Sequence, residues 1–78
     1  MNNNNKEQIN DEEFDLICKY IKIRYNSKMT QRELADKIGI AQSTIARMEK
    51  NMHSMSLSNF IKLLDALNYK LDIIKKEE

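Results

Sequence analysis

Four side chains in one short run, Gln42, Ser43, Thr44 and Arg47, are suited to reading base edges and phosphates. A glutamine amide presents one donor and one acceptor and can pair bidentately with adenine in the major groove. Ser and Thr hydroxyls can reach a base or a phosphate. An Arg guanidinium can fork onto guanine or clamp a phosphate. A good bidentate contact discriminates against the wrong base by about 1–3 kcal/mol. The apolar neighbours Ile40, Ile45 and Met48 supply the inner side of a helix here. Its 3.6-residue period turns Gln42, Ser43, Ala46 and Arg47 outward.

A preceding helix must aim this face. Thr30 with Glu33 three residues later is a capping box, which satisfies orphan backbone N–H groups. Leu34, Ala35 and Ile38 follow at helical spacing as an inward stripe. Gly39 is the only glycine of the chain and stands where this helix must stop. The turn there calls for positive φ, which glycine adopts without steric cost. The segment Thr30 to Glu49 therefore reads as two short helices joined by a tight turn.

This pattern resembles the phage-repressor, or XRE-type, helix-turn-helix family. The matching residues are Arg24, Thr30-Gln31, Glu33, Leu34-Ala35, Gly39, Gln42-Ser43-Thr44-Ile45, Glu49 and the run from Leu57 through Leu67. The resemblance covers about Ile17 to Asn68. It implies a compact all-helical domain whose second motif helix enters the major groove. It also implies that Gln42 and Ser43 read bases, with Thr44 and Arg47 close behind, and that Gln31 contacts a phosphate. Lys50, Asn51 and His53 are placed to touch the DNA backbone from the following loop. The resemblance further pairs Arg24 with Glu49 as a partly buried salt bridge. Three departures stand out. Ala41 occupies the usual Ser or Thr N-cap, so the reading helix should start less firmly. Asn51 stands where glycine often ends that helix, and Asn tolerates the left-handed conformation. The chain has no proline.

Charge supports the same face. Residues 1–17 carry one basic and five acidic side chains, residues 18–50 eight basic and three acidic, and residues 51–78 four of each. The net charge of +1 is uninformative, but the positive charge gathers around the reading motif, as a DNA-binding surface requires. The bland alternative is a set of ordinary solvated helix faces.

Other chemistry is excluded or unsupported. The single Cys18 forbids an internal disulfide and fits a reducing cytosol. On its apolar helix face it reads as core packing. His53 has no second His or acid at metal spacing, so no metal site is expected. There is no glycine-rich phosphate loop and no nucleophile with a plausible base, so neither catalysis nor a cofactor is expected. No apolar run approaches a membrane span, and the polar N-terminus does not read as a signal peptide.

Along the chain, residues 1–10 read as a disordered arm, residues 11–68 as the DNA-binding domain, and residues 69–78 as a dimerisation strand and tail. A first helix should start near Asp11, with acidic residues in its first turn. It carries one apolar stripe of Phe14, Ile17, Cys18, Ile21 and Tyr25, and a flanking one of Leu16, Tyr20 and Ile23. That apolar width exceeds what a small monomer needs. Ser56 can cap a fourth helix with Leu57, Phe60, Ile61, Leu64 and Leu67 inward, ended at Asn68. From Tyr69 to Ile74 apolar and polar residues alternate, a short half-buried strand with Tyr69, Leu71 and Ile73 on one side. No other segment reads as a strand, so its simplest partner is the same strand in a second copy. Some antitoxin-type members of the family dimerise in this way. The alternative is a frayed fifth helix.

These readings converge on an all-α, four-helix repressor-like domain with a short C-terminal β-strand pairing across a homodimer. The expected function is a cytoplasmic, sequence-specific transcriptional regulator, a repressor on a palindromic stretch of double-stranded DNA. Two alternatives stand beside it. One is an antitoxin that binds a cognate toxin and regulates its own synthesis. The other is a protein-interaction module that has lost DNA binding.

Overall fold

The computed structural model describes residues 10–77, which form four helices: α1 (Asp11–Asn26), α2 (Gln31–Ile38), α3 (Gln42–Asn51) and α4 (Leu57–Ala66). The expected arm over residues 1–9 lies outside the described residues. Asn10, assigned to that arm from sequence, is instead the N-cap of α1. Its side-chain oxygen accepts from the Glu13 N–H at 2.8 Å, and Glu13 accepts in return from the Asn10 N–H at 3.2 Å. Thr30 and Glu33 close the same reciprocal box on α2, at 3.0 and 2.9 Å. Ser56 accepts from the Asn59 N–H at 3.1 Å and starts α4. Three of the four helices thus begin on a side chain that replaces water at orphan donors.

Gly39 ends α2 in the left-handed region, φ 78°, ψ 36°. An added Cβ would meet nothing within 4 Å, so backbone conformation and not space demands glycine there. The resulting turn packs α2 against α3. α2 also packs on α4, and α1 on α3. The core between them is Ile17, Tyr20, Leu34, Ala35, Ile45, Met48, Phe60, Leu63, Leu64 and Leu67. The Tyr20 and Phe60 rings meet edge to face at 6.1 Å between centroids.

Several sequence expectations are corrected. On α1 the buried line is Ile17, Tyr20 and Arg24, at i, i+3 and i+7. It takes one member from each apolar stripe and a charged residue that hydropathy sets aside. Phe14 and Tyr25 are exposed, as is Cys18, expected in the core. At 3.6 residues per turn these three lie about a quarter to a third of a turn from the buried line. On α4, Leu57 and Ile61 are exposed, and Leu63 takes an inward place not assigned to it. The left-handed residue after α3 is Met52 (φ 50°), not Asn51, which remains helical. Met52 packs against the core, and that contact offsets its backbone strain. Asn68 does adopt the left-handed conformation, φ 69°, at the end of α4. Residues 69–77 carry no regular secondary structure in the single chain, helix or ladder.

Candidate nucleic-acid interface

α3 begins at Ala41, whose extended backbone (φ −72°, ψ 139°) suits an N-cap but whose methyl offers no cap hydrogen bond. Gln42, Ser43 and Arg47 are exposed, and Thr44 is half-buried. Ser43, Arg47 and Lys50, at i, i+4 and i+7, share one outer face. Asn51 and His53 are also exposed, at the far end of the helix. The His53 N–H donates to Met48 O at 3.1 Å. The next residue, Ser54, donates its hydroxyl to Glu13 at 2.7 Å, tying the loop to α1.

Along α3 runs a polar network whose buried centre is Glu49, near the helix's C-terminal end, and whose exposed end is Gln42. The Arg24 and Glu49 side chains are 7% and 8% exposed. Arg24 grips the carboxylate with both prongs, Nε to Oε2 at 2.8 Å and Nη2 to Oε1 at 2.7 Å. Its Nη1 donates to Met29 O at 3.0 Å, pinning the α1–α2 connection. Tyr20 donates its hydroxyl to Glu49 Oε2 at 2.7 Å, and Gln31 donates Nε2 to Oε1 at 3.0 Å. The Gln31 carbonyl oxygen in turn accepts from Gln42 Nε2 at 3.1 Å. The chain of bonds thus runs from the core to the first exposed residue of α3.

Electrostatics follow from this geometry. Burial penalises the Glu49 charge, but hydrogen bonds from Arg24, Tyr20 and Gln31 outweigh it and hold the carboxyl below its ordinary value. The hydrogen bond to Glu49 pushes Arg24 further up against its own desolvation. Burial, reinforced by Glu49, pushes the Tyr20 phenol up. The site therefore holds one fixed, neutral-sum ion pair under a face that itself carries Arg47 and Lys50.

The structure brings Arg24, Glu49, Gln31 and Gln42 into one connected set. It leaves Ser43, Thr44 and Arg47 outside that set, along α3, and Lys50, Asn51 and His53 outside it beyond Glu49, at the C-terminal end of the helix and just after it. Tyr69, Leu71 and Ile73 lie on the tail, where Leu71 is half-buried against the core and Tyr69 and Ile73 are exposed. Sequence reasoning missed Tyr20 as a hydrogen-bond donor and Gln31 as a bridge. The i, i+4 spacing of Tyr20 and Arg24 was the available signal for the first.

A helix-turn-helix family model matches residues 21–74. Antitoxin HipB of Escherichia coli O6:H1 is 41% identical over 51 residues, covering 65% of this chain. The chain spans only 54% of that relative's length. Among solved structures, a HipB-O1-O2 complex aligns with a TM-score of 0.75 and 32% identity over 87% of this chain and 99% of the other. A HipA-HipB-O2-O3 complex aligns with a TM-score of 0.77 and 31% identity over 90% of this chain and 99% of the other.

Proposed function

The chain belongs to the helix-turn-helix family, as an XRE-type, antitoxin-like member, and from that premise we propose that it binds double-stranded DNA sequence-specifically and represses transcription. The carrying observation is the exposed start of α3. Gln42, Ser43 and Arg47 face outward from a helix whose other side is locked to the core by Ile45, Met48 and Glu49. α3 lies in the major groove. Gln42 and Ser43 read base edges, Arg47 grips guanine or phosphate, and half-buried Thr44 contributes through its hydroxyl. Lys50, Asn51 and His53 meet the backbone. The first turn of α2, at Gln31, offers backbone N–H groups that suit a phosphate.

The chain acts as a homodimer on a near-palindromic site, with the two copies of α3 about 34–36 Å apart. The tail from Tyr69 to Ile74 supplies the dimer strand. Ile73 is 96% and Ile74 83% exposed, an apolar ending with no partner strand among the described residues. A second copy would complete the ladder. No helix among the described residues is long and apolar enough to cross a membrane, and the repressor works in the cytoplasm by binding, not by catalysis.

Likeness to an antitoxin, and to a structure that holds HipA with HipB, favours a second role for the same chain. In that role it binds a cognate toxin and represses its own promoter.

Selection from a random DNA pool tests the main reading. The expected result is an enriched inverted repeat, bound with an affinity that falls steeply as salt rises through counterion release. Replacing Gln42 and Arg47 together by Ala should remove specific binding while leaving the melting temperature unchanged. No enrichment, with an affinity indifferent to salt, would leave a protein-interaction module instead.

A further inference from the structure

We propose that the outer face of α1 is a second self-association surface, on which another copy of this chain docks its own α1 antiparallel about a two-fold axis. The contact is separate from the DNA-reading face and from the tail. Phe14, Cys18, Ile21 and Tyr25 recur at intervals of four, three and four residues, the spacing of a coiled-coil seam. Phe14 is 49% and Tyr25 67% exposed, Cys18 is exposed, and Ile21 is half-buried. The core already takes Ile17, Tyr20 and Arg24 from this helix. On the opposite flank, Leu16 and Ile23 line a hollow with Tyr69 and Leu71 of the tail. The seam is therefore the apolar strip of α1 that neither the core nor the tail covers among the described residues.

Charge selects the occupant and its direction. A parallel copy would set the acidic first turns, each with Asp11, Glu12 and Glu13, side by side and align the helix dipoles. An antiparallel copy instead sets Cys18 opposite the partner's Ile21 and Phe14 opposite the partner's Tyr25. Asp15 and Lys22, one heptad apart, flank the seam on its outer side. In that register Asp15 comes within about two residues, or 3 Å along the axis, of facing the partner's Lys22. The two-fold axis repeats the contact. Asp15 also pairs with Lys19 of its own helix at 3.3 Å, but its side chain is 66% exposed, so the carboxylate stays open to a second cation. A surface that matches itself in both shape and sign is the mark of an isologous contact. Two heptads bury less than a standard interface, so this contact is weak and adds to the tail without replacing it.

Cys18 is the only cysteine of the chain and supplies the probe. In the antiparallel pair the two thiols lie about 4.5 Å apart along the axis, on helices whose axes are about 8–10 Å apart. The full chain is treated with bismaleimidoethane at high protein concentration and low salt, and the crosslinked fraction is read on a denaturing gel. A crosslinked dimer is expected from the parent. Asp15→Lys and Lys22→Asp should each lower its yield about tenfold, since each turns two exposed attractions into repulsions. Lys22→Asp moves the net charge from +1 to −1, no larger in size, so bulk repulsion does not account for its loss. The doubly exchanged chain, Asp15→Lys with Lys22→Asp, should recover the parent's yield. It still lacks the Asp15–Lys19 pair along its own helix, so recovery reports the contact between copies and not helix stability. A parent that gives no crosslink overturns the proposal. So does a yield indifferent to both single changes, or a doubly exchanged chain that stays as low as either one.

Discussion

Glu49 is the residue on which the domain's interior depends most. Its carboxylate accepts four hydrogen bonds, from Tyr20, twice from Arg24, and from Gln31. Glu49→Ala would strand a guanidinium that is 7% exposed, and removing one partner of a buried pair costs about 3–5 kcal/mol. A thermal melt should show a drop of more than about 10 °C for a domain this small. Equal melting temperatures would refute the pair's structural role. The pH dependence follows from the directions of the shifts. Glu49 sits below its ordinary 4.5 when folded, so its contribution is present above that pH and lost as pH falls further. Tyr20 sits above its ordinary 10.0 when folded, so its contribution is present below that pH and lost as pH rises beyond it. Denaturant titrations should therefore show stability declining at both ends; Tyr20→Phe should remove the alkaline decline and, by taking one donor from Glu49, also weaken the acid one. An alkaline limb unchanged in Tyr20→Phe would assign it elsewhere. The pairing of Arg24 with Glu49 was legible through the resemblance to the repressor-type helix-turn-helix family, not through hydropathy. Tyr20 was not, because an aromatic ring on an apolar stripe conceals its hydroxyl until the opposing helix is placed.

At the level of the helices, legibility tracked the presence of local signals. The box at Thr30 and Glu33, the left-handed step at Gly39 and the cap at Ser56 each depend on neighbours in the chain, and each could be read directly. The inward face of α1 depends on where α3 lies. Two broad apolar stripes did not reveal that the buried line ran between them through Arg24. The left-handed residue after α3 is a similar case. Asn51 has the more permissive side chain, yet core packing of Met52 determined the position. The start of α3 remains the weakest helix end, with an extended backbone and no side-chain acceptor at Ala41. Ala41→Ser fits those dihedrals and should cap the helix, stabilising the domain by about 0.5–2 kcal/mol. A melting temperature raised by several degrees would bear this out. An unchanged or lowered one would mean that the first-turn N–H groups are already well served by water.

At the scale of the whole molecule, the open question is what covers the apolar surface that four helices leave behind. Phe14, Leu57 and Ile61 are 49%, 67% and 46% exposed, and Ile73 and Ile74 far more. Leu57, Ile61, Leu71 and Ile73 line one shallow hollow, so the tail already lies against α4 through part of its length. A strand cannot be read from one copy, because its hydrogen bonds belong to a ladder that a lone chain lacks. Alternation in the sequence could suggest the tail's pairing, but no local physics could complete it. The proposed dimer makes a definite demand on Ile73. That side chain is 96% exposed, so placing a carboxylate there disturbs no contact within the chain. In a two-copy interface the same carboxylate would have to be desolvated without a partner, which is costly. Ile73→Asp should therefore leave the melting of the isolated helical domain intact while converting a dimer to a monomer in sedimentation equilibrium. Operator affinity should fall with it, since each monomer then engages one half-site alone. If Ile73→Asp sediments as the parent does, the tail is not the dimer contact, and the exposed faces of α1 and α4 become the surfaces to mutate next.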